Sequence, residues 1–145
     1  MTAEERALWR AAYGDARSSA QRLAVARAAV HLDAAFRVED LAAATRLRDP
    51  RVSTATVYRA VAAMAASGFL EQVGERGGTA LYVRCAAEGH HHHLVCTGCG
   101  AVAHAPCPLD RAVQESAAAH GFVVTHHQVH IYGLCARCAA GNGPS

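Results

Sequence analysis

Two Cys-x-x-Cys pairs, Cys96-Thr97-Gly98-Cys99 and Cys135-Ala136-Arg137-Cys138, constrain this chain more than any other feature. Two residues between cysteines let a tight turn aim both sulfurs at one ion, and two such turns complete a tetrahedron. Four thiolates around a d¹⁰ ion, with no open position, make a structural zinc site: Cys96, Cys99, Cys135 and Cys138. A metal staple suits a chain of 145 residues, which forms one medium domain or two small ones, each barely able to bury a core unaided. Four histidines, His90-His91-His92-His93, run just ahead of the first pair. The filled tetrahedron does not use them, so they predict metal binding for a second purpose.

The ligand types and the charge are unevenly placed. Residues 1–84 carry twelve Arg against nine acidic residues, whereas residues 85–145 carry two Arg against three. All six cysteines and nine of the ten histidines lie in the second part. The chain therefore divides into a mildly basic half and a metal-ligand half, with a hinge expected at 85–89 and a flexible Gly/Pro/Ser-rich tail at 139–145. Lysine is absent and all fourteen basic residues are arginine, a compositional bias rather than a functional signal. No stretch is long enough to span a membrane. The first residues lack the order of a signal peptide, and paired Cys-x-x-Cys motifs with a histidine cluster suit a reducing compartment. A cytoplasmic location follows as the expectation.

In the first half, Leu23, Ala26 and Val30 recur at helical spacing after a start signal at Ser18-Ser19. A second short helix is predicted from Val38 to Leu47, with Val38, Leu41 and Ala42 inward. A third runs from a Ser53 cap to a closing Gly68, with Val57, Val61 and Met64 on its inner face. Thr56, Arg59 and Ala62 point the other way, with Tyr58 on the flank. Hydroxyls in the first turn followed by Tyr and Arg suit a helix end in a DNA major groove, where they reach phosphates and Arg bridges to phosphate or guanine. Two extended runs, Phe69–Val73 and Thr79–Val83, predict a hairpin with a flexible tip at residues 74–78. Three helices and a wing make a winged helix-turn-helix reader at 1–84. Its expected DNA contacts are Arg17, Ser53, Thr54, Thr56, Tyr58 and Arg59.

In the second half, side chains alternate along an extended His90–His93 run, so His91 and His93 face one way and His90 and His92 the other. Each pair needs further ligands. Cys85 at the hinge and Glu71 in the wing would give His91 and His93 a set of S, N, N and O donors, which prefers zinc over magnesium or manganese. His104 is an alternative to Glu71. A helix predicted over Pro108–His120 and a strand over Gly121–Tyr132 offer Asp110 and His127 to the His90/His92 pair. Cys107, between two prolines and without a spaced partner, reads as incidental.

Ala55-Thr56-Val57-Tyr58-Arg59, then His90–Gly100, then Ile131-Tyr132-Gly133-Leu134-Cys135-Ala136-Arg137-Cys138, together resemble the ferric uptake regulator (Fur) family, from about Arg17 to Cys138. Within it the chain is most similar to the zinc uptake regulators of actinobacteria. The resemblance implies an α+β fold: a winged-helix DNA-binding domain (1–84), then an α/β metal-binding dimerisation domain (90–138). It also implies a homodimer that binds an AT-rich inverted repeat of double-stranded DNA when metal-loaded and represses transcription, here of zinc uptake genes. Carried over residue by residue, Glu71, Cys85, His91 and His93 form the regulatory zinc site, and His90, His92, Asp110 and His127 a second one, Asp110 needing a one-residue gap. That makes one structural and one or two regulatory zinc ions per subunit.

Iron and peroxide sensors usually carry a histidine where this chain has Ala35, and peroxide sensors an acidic residue at the Cys85 position. Both departures argue against iron, although His104 aligns with a carboxylate that some such sensors use. A family member sensing iron, manganese or peroxide is the alternative. Catalytic zinc signatures such as HExxH are missing from the sequence, so neither enzymatic activity nor a small-molecule substrate is expected.

Overall fold

Thr2 opens the first helix with a reciprocal cap: its hydroxyl accepts from Glu5 N–H at 3.1 Å while the Glu5 carboxylate accepts from Thr2 N–H. Helix α1 (Ala3–Tyr13) is not among the elements expected from sequence. It is held by its aromatics: Trp9 Nε1–H donates to Ala16 O at 2.9 Å, Tyr13 O–H donates to Arg22 O at 2.7 Å, and the Arg22 guanidinium lies 4.4 Å from the Tyr13 ring centre. The computed structural model describes residues 1–85, 91–107 and 109–143. His90 and all of the expected hinge beyond Cys85 lie outside these residues.

Three further helices follow: α2 (Ala20–Val30), α3 (Val38–Arg46) and α4 (Thr54–Ala66). The Ser19 and Ser53 hydroxyls cap α2 and α4, and the inward faces expected from periodicity are buried: Leu23 and Ala26, then Val38, Leu41 and Ala42, then Val57, Val61 and Met64. With Trp9, Phe36, Val52 and Phe69 they make one continuous core. Leu41 is fully buried at its centre. Leu41→Ala is expected to cost about 2–5 kcal/mol, read as a lowered denaturation midpoint; a shift under about 1 kcal/mol would show that this core relaxes around the change.

The wing is the antiparallel pair β1 (Leu70–Arg76) and β2 (Thr79–Arg84). The five-residue flexible tip expected at 74–78 is instead strand as far as Arg76, closed by Gly77 and Gly78 at φ +59° and +80°. Two successive positive φ angles match the hairpin turn whose twist suits the strands.

A second sheet has the order β4-β3-β5, from β3 (His91–Cys96), β4 (Val102–Pro106) antiparallel to it and β5 (His130–Gly133) parallel to it. Helix α5 (Asp110–Ala119) lies between β4 and β5, and a one-turn α6 (Ala136–Ala139) carries the last cysteine pair. Only 130–132 of the strand expected over 121–132 pairs, with the pairing running on to Gly133, and Gly121 at φ +78° and the Phe122 N–H bond to Ala117 O still belong to the end of α5.

The two halves meet along a narrow joint. Phe36 exchanges both backbone hydrogen bonds with Tyr82 of the wing, at 2.9 and 2.8 Å, while the adjacent Ala35 N–H donates to Gly100 O at 2.7 Å, next to the first cysteine pair. Val73, Leu81 and Val83 of the wing pack on Val95 of β3. Among the described residues, no helix is long and apolar enough to cross a membrane.

Candidate metal centres and nucleic-acid interface

The four cysteines of the two pairs converge, one ligand atom from each lying within 4.8 Å of every other. Cys99 and Cys135 Sγ are 3.8 Å apart, and the edge of a tetrahedron with Zn–S bonds of 2.3 Å is about 3.8 Å. None of the six cysteines is in a disulfide. Cys135 N–H donates to Cys96 Sγ at 3.3 Å. That backbone bond, with others from Cys99 and Gly98, draws the Cys96 thiol down to about 6, while burial pushes Cys138 up to about 12. A Cβ at Gly98 would stand 2.9 Å from Cys138 Sγ, so the turn needs glycine to let the second pair approach. The donor set and its spacing fit a closed structural zinc.

A second group comprises Glu71, Cys85, His91 and His93, again with ligand atoms within 4.8 Å of one another. Its members come from both halves. Glu71 is on wing strand β1, and Cys85 follows β2 with its N–H bound to Phe69 O at 3.0 Å. His91 and His93 share one face of β3. Cys85 Sγ lies 3.1 Å from His91 Nε2, and His93 Nδ1 lies 3.4 Å from Glu71 Oε2. His93 is 1% exposed and, among the described residues, neither ring nitrogen has a hydrogen-bond partner, a costly state unless an ion takes one of them. Burial holds its pKa below the ordinary histidine value, with Glu71 opposing, so the ring is neutral and able to ligate. The donor set fits zinc. His104, paired with His93 across β3 and β4, meets it edge-on with ring centres 4.8 Å apart but stands outside the group.

Gln128 and His130, which sequence reasoning did not single out, place their Nε2 atoms 3.2 and 3.3 Å from Glu71 Oε1. One carboxylate oxygen is thereby held by the second half while the other faces His93. The available signal was the period of two in His-Gln-Val-His, which puts Gln128 and His130 on one side and His127 on the other.

A third group holds His92, Cys107 and His127. Cys107 Sγ lies 3.1 Å from His127 Nε2, and the His92 and His127 ring centres are 5.2 Å apart. Asp110 is not brought to this group; it sits exposed in the first turn of α5. Cys107, expected to be incidental, stands there instead. Pro106 pairs with His91 at the end of β4, so the next residue emerges beside β3 before α5 begins.

On the reader, Ser53, Thr54, Tyr58 and Arg59 are exposed, Thr56 is half-buried, and Arg17 is exposed in the α1–α2 loop. Ser53 Oγ contacts Thr56 Oγ1 at 2.9 Å, and Arg59 Nη2 reaches Thr56 Oγ1 at 3.5 Å. Arg46, overlooked at the end of α3, donates to Thr54 Oγ1. Tyr58 O–H donates to Glu39 Oε1 at 2.7 Å, bracing α4 on α3 and holding the Glu39 carboxyl below its ordinary range. Two cations and three hydroxyl side chains thus flank the N-terminus of a thirteen-residue helix, a surface able to hold phosphates.

Comparison with known proteins agrees with this architecture. The model of the ferric uptake regulator family matches residues 14–132. The zinc uptake regulation protein of Mycobacterium tuberculosis is 34% identical over 123 residues, covering 84% of this chain and 94% of that protein. A solved zinc uptake regulator complexed with zinc and DNA superposes with a TM-score of 0.71 at 29% identity, covering 97% of this chain and 98% of that one. A zinc-bound manganese uptake regulator gives 0.60 at 29% identity, covering 83% and 91%.

Proposed function

Because the chain belongs to the ferric uptake regulator family, we propose that it is a zinc-responsive transcriptional repressor, binding inverted-repeat operator DNA as a homodimer and controlling zinc uptake genes. Supporting zinc are the relative from Mycobacterium tuberculosis and the solved regulator holding zinc and DNA. The observation that carries the reading is the composition of the second ligand group: one donor from the reader, Glu71, one from the start of the hinge, Cys85, and two from β3, His91 and His93. Zinc bound there would supply a cross-link between the halves. The chain's own residues do the rest: the Cys85 backbone ties its thiol to the reader, Gln128 and His130 aim the Glu71 carboxylate, and β3 presents two imidazoles on one face. With the joint fixed, the α4 helices of a dimer stand at the spacing of two half-sites; with it loose, DNA binding bears the entropy of ordering it.

The reader at 1–84, the dimerisation domain at 90–138, a cytoplasmic location and the absence of enzymatic activity belong to the same reading. So does one structural and one or two regulatory zinc ions per subunit. Dimerisation is supported by the apolar side chains left open on the second half, Leu94, Ile131, Tyr132, Leu134 and Phe122. One observation favours a second reading. His104 lies beside His91 and His93, and a third imidazole in place of the Glu71 carboxylate would suit iron as well as zinc.

The test is operator binding by fluorescence anisotropy at buffered free zinc, ferrous iron and manganese. Tightening at far lower free zinc than either other metal is expected; an equal or stronger response to iron would move the protein to the second reading. Arg59→Ala is expected to weaken binding and to reduce the salt slope by about 1, with zinc content unchanged. Undiminished affinity would remove Arg59 from the interface.

A further inference from the structure

We propose that Cys107 is a metal ligand, and that with His127 and His92 it makes the third group a thiolate site for zinc rather than a carboxylate site. This rests on the reading of a second regulatory site around His92 and His127 and assigns the donor that defines its chemistry.

Three independent features converge on it. The period of two along β3 turns His92 away from His91 and His93, and it is 2% exposed. The end of β4 at Pro106 delivers Cys107 to the same side, with Sγ 3.1 Å from His127 Nε2. Ligand atoms of all three residues lie within 4.8 Å of one another, and Asp110, three residues further on, is absent from the group and exposed. Three protein donors leave one further position of a four-coordinate zinc.

The donors are unequal. Val129 N–H donates to His92 Nδ1 at 3.1 Å. A neutral imidazole that accepts at Nδ1 keeps its proton on Nε2, so ligation by His92 costs either that bond or that proton. Cys107 and His127 therefore carry most of the affinity. A thiolate with imidazole selects zinc and cobalt over magnesium, calcium and manganese, whereas an aspartate in that place would relax the choice toward hard cations. Loss of the thiolate should cost more than the about 10–100-fold that follows loss of an outer-shell partner.

Cobalt(II) reports this directly, because a thiolate ligand gives an intense sulfur-to-metal charge-transfer band. The full-length chain carrying zinc in its four-cysteine site and Cys85→Ser, which removes the other non-structural thiol, is titrated with cobalt. The expected result is a charge-transfer band that Cys107→Ser abolishes, with cobalt affinity falling more than about 100-fold. A band of equal strength with and without Cys107, or no band in either, overturns the proposal. His127→Ala separates the two levels of failure. Cobalt binding without a band that is still weakened by His127→Ala places metal there without Cys107. Binding that ignores His127→Ala removes the second regulatory site itself.

Discussion

A chain carrying Cys135→Ser is expected to retain one zinc fewer than the parent, to lose its second half to limited proteolysis, and to bind operator DNA at no free zinc concentration. The size of the effect follows from how little else holds that half together. Among the described residues beyond Cys85, only His92, His93, Val95, Cys96 and Gly100 are buried, and α5 contributes no buried side chain. Structural zinc contributes about 10–16 kcal/mol of apparent binding free energy at neutral pH. Whole domains are stable by about 5–15 kcal/mol. Losing one thiolate of four therefore removes more than this half can spare. The damage should also reach the reader, because Ala35 bonds to Gly100 beside the first cysteine pair and the Arg76 guanidinium donates to Thr97 O at 3.3 Å within it. Metal analysis, circular dichroism and a proteolysis time course on parent and variant decide the matter. An unchanged zinc content with an intact second half would show that the four sulfurs do not share an ion.

The second large effect is expected from Cys85→Ala, read as zinc dependence rather than as folding. Cys85 is half-exposed at the end of the wing and supports no part of either core, so its thermal transition should stay close to that of the parent. Its loss leaves a site of Glu71, His91 and His93 with no soft donor. The gain in operator affinity on adding zinc should then fall by about 5–150-fold per linked site, the range for coupling of about 1–3 kcal/mol. Glu71→Ala should do the same by a different route, cutting the reader from Gln128 and His130 as well as from the metal. If Cys85→Ala kept the full zinc response, the cross-link between the halves would not be the switch, although the four-cysteine site would stand.

Local physics made much of this legible in the sequence. Ser53 as a cap, the inward face of α4 and the two cysteine pairs depend on spacing within a few residues, and the structure places them where spacing puts them. What escaped depends on contacts between distant segments. Helix α1 is a short amphipathic stretch whose reason to fold is Arg22 and the carbonyl of Ala16, neither visible as a pattern. Cys107 lacks a spaced cysteine partner, and its companions are His92 on a neighbouring strand and His127, twenty residues further along. Gln128 and His130 gain their role from Glu71, which lies more than fifty residues before them and in the other half. The register of β4 against β3 brings Cys107 to that face in place of Asp110, and no sequence periodicity encodes that register.

Strand β3 serves two ligand groups at once, His91 and His93 on one side and His92 on the other. Adding or deleting a single residue between His93 and Cys96 would turn all three imidazoles through the sheet and exchange the two groups' ligands. Insertions and deletions of one residue are thus closed to this stretch in evolution and in engineering alike. Only substitutions, or changes taken two residues at a time, keep both ion sites readable.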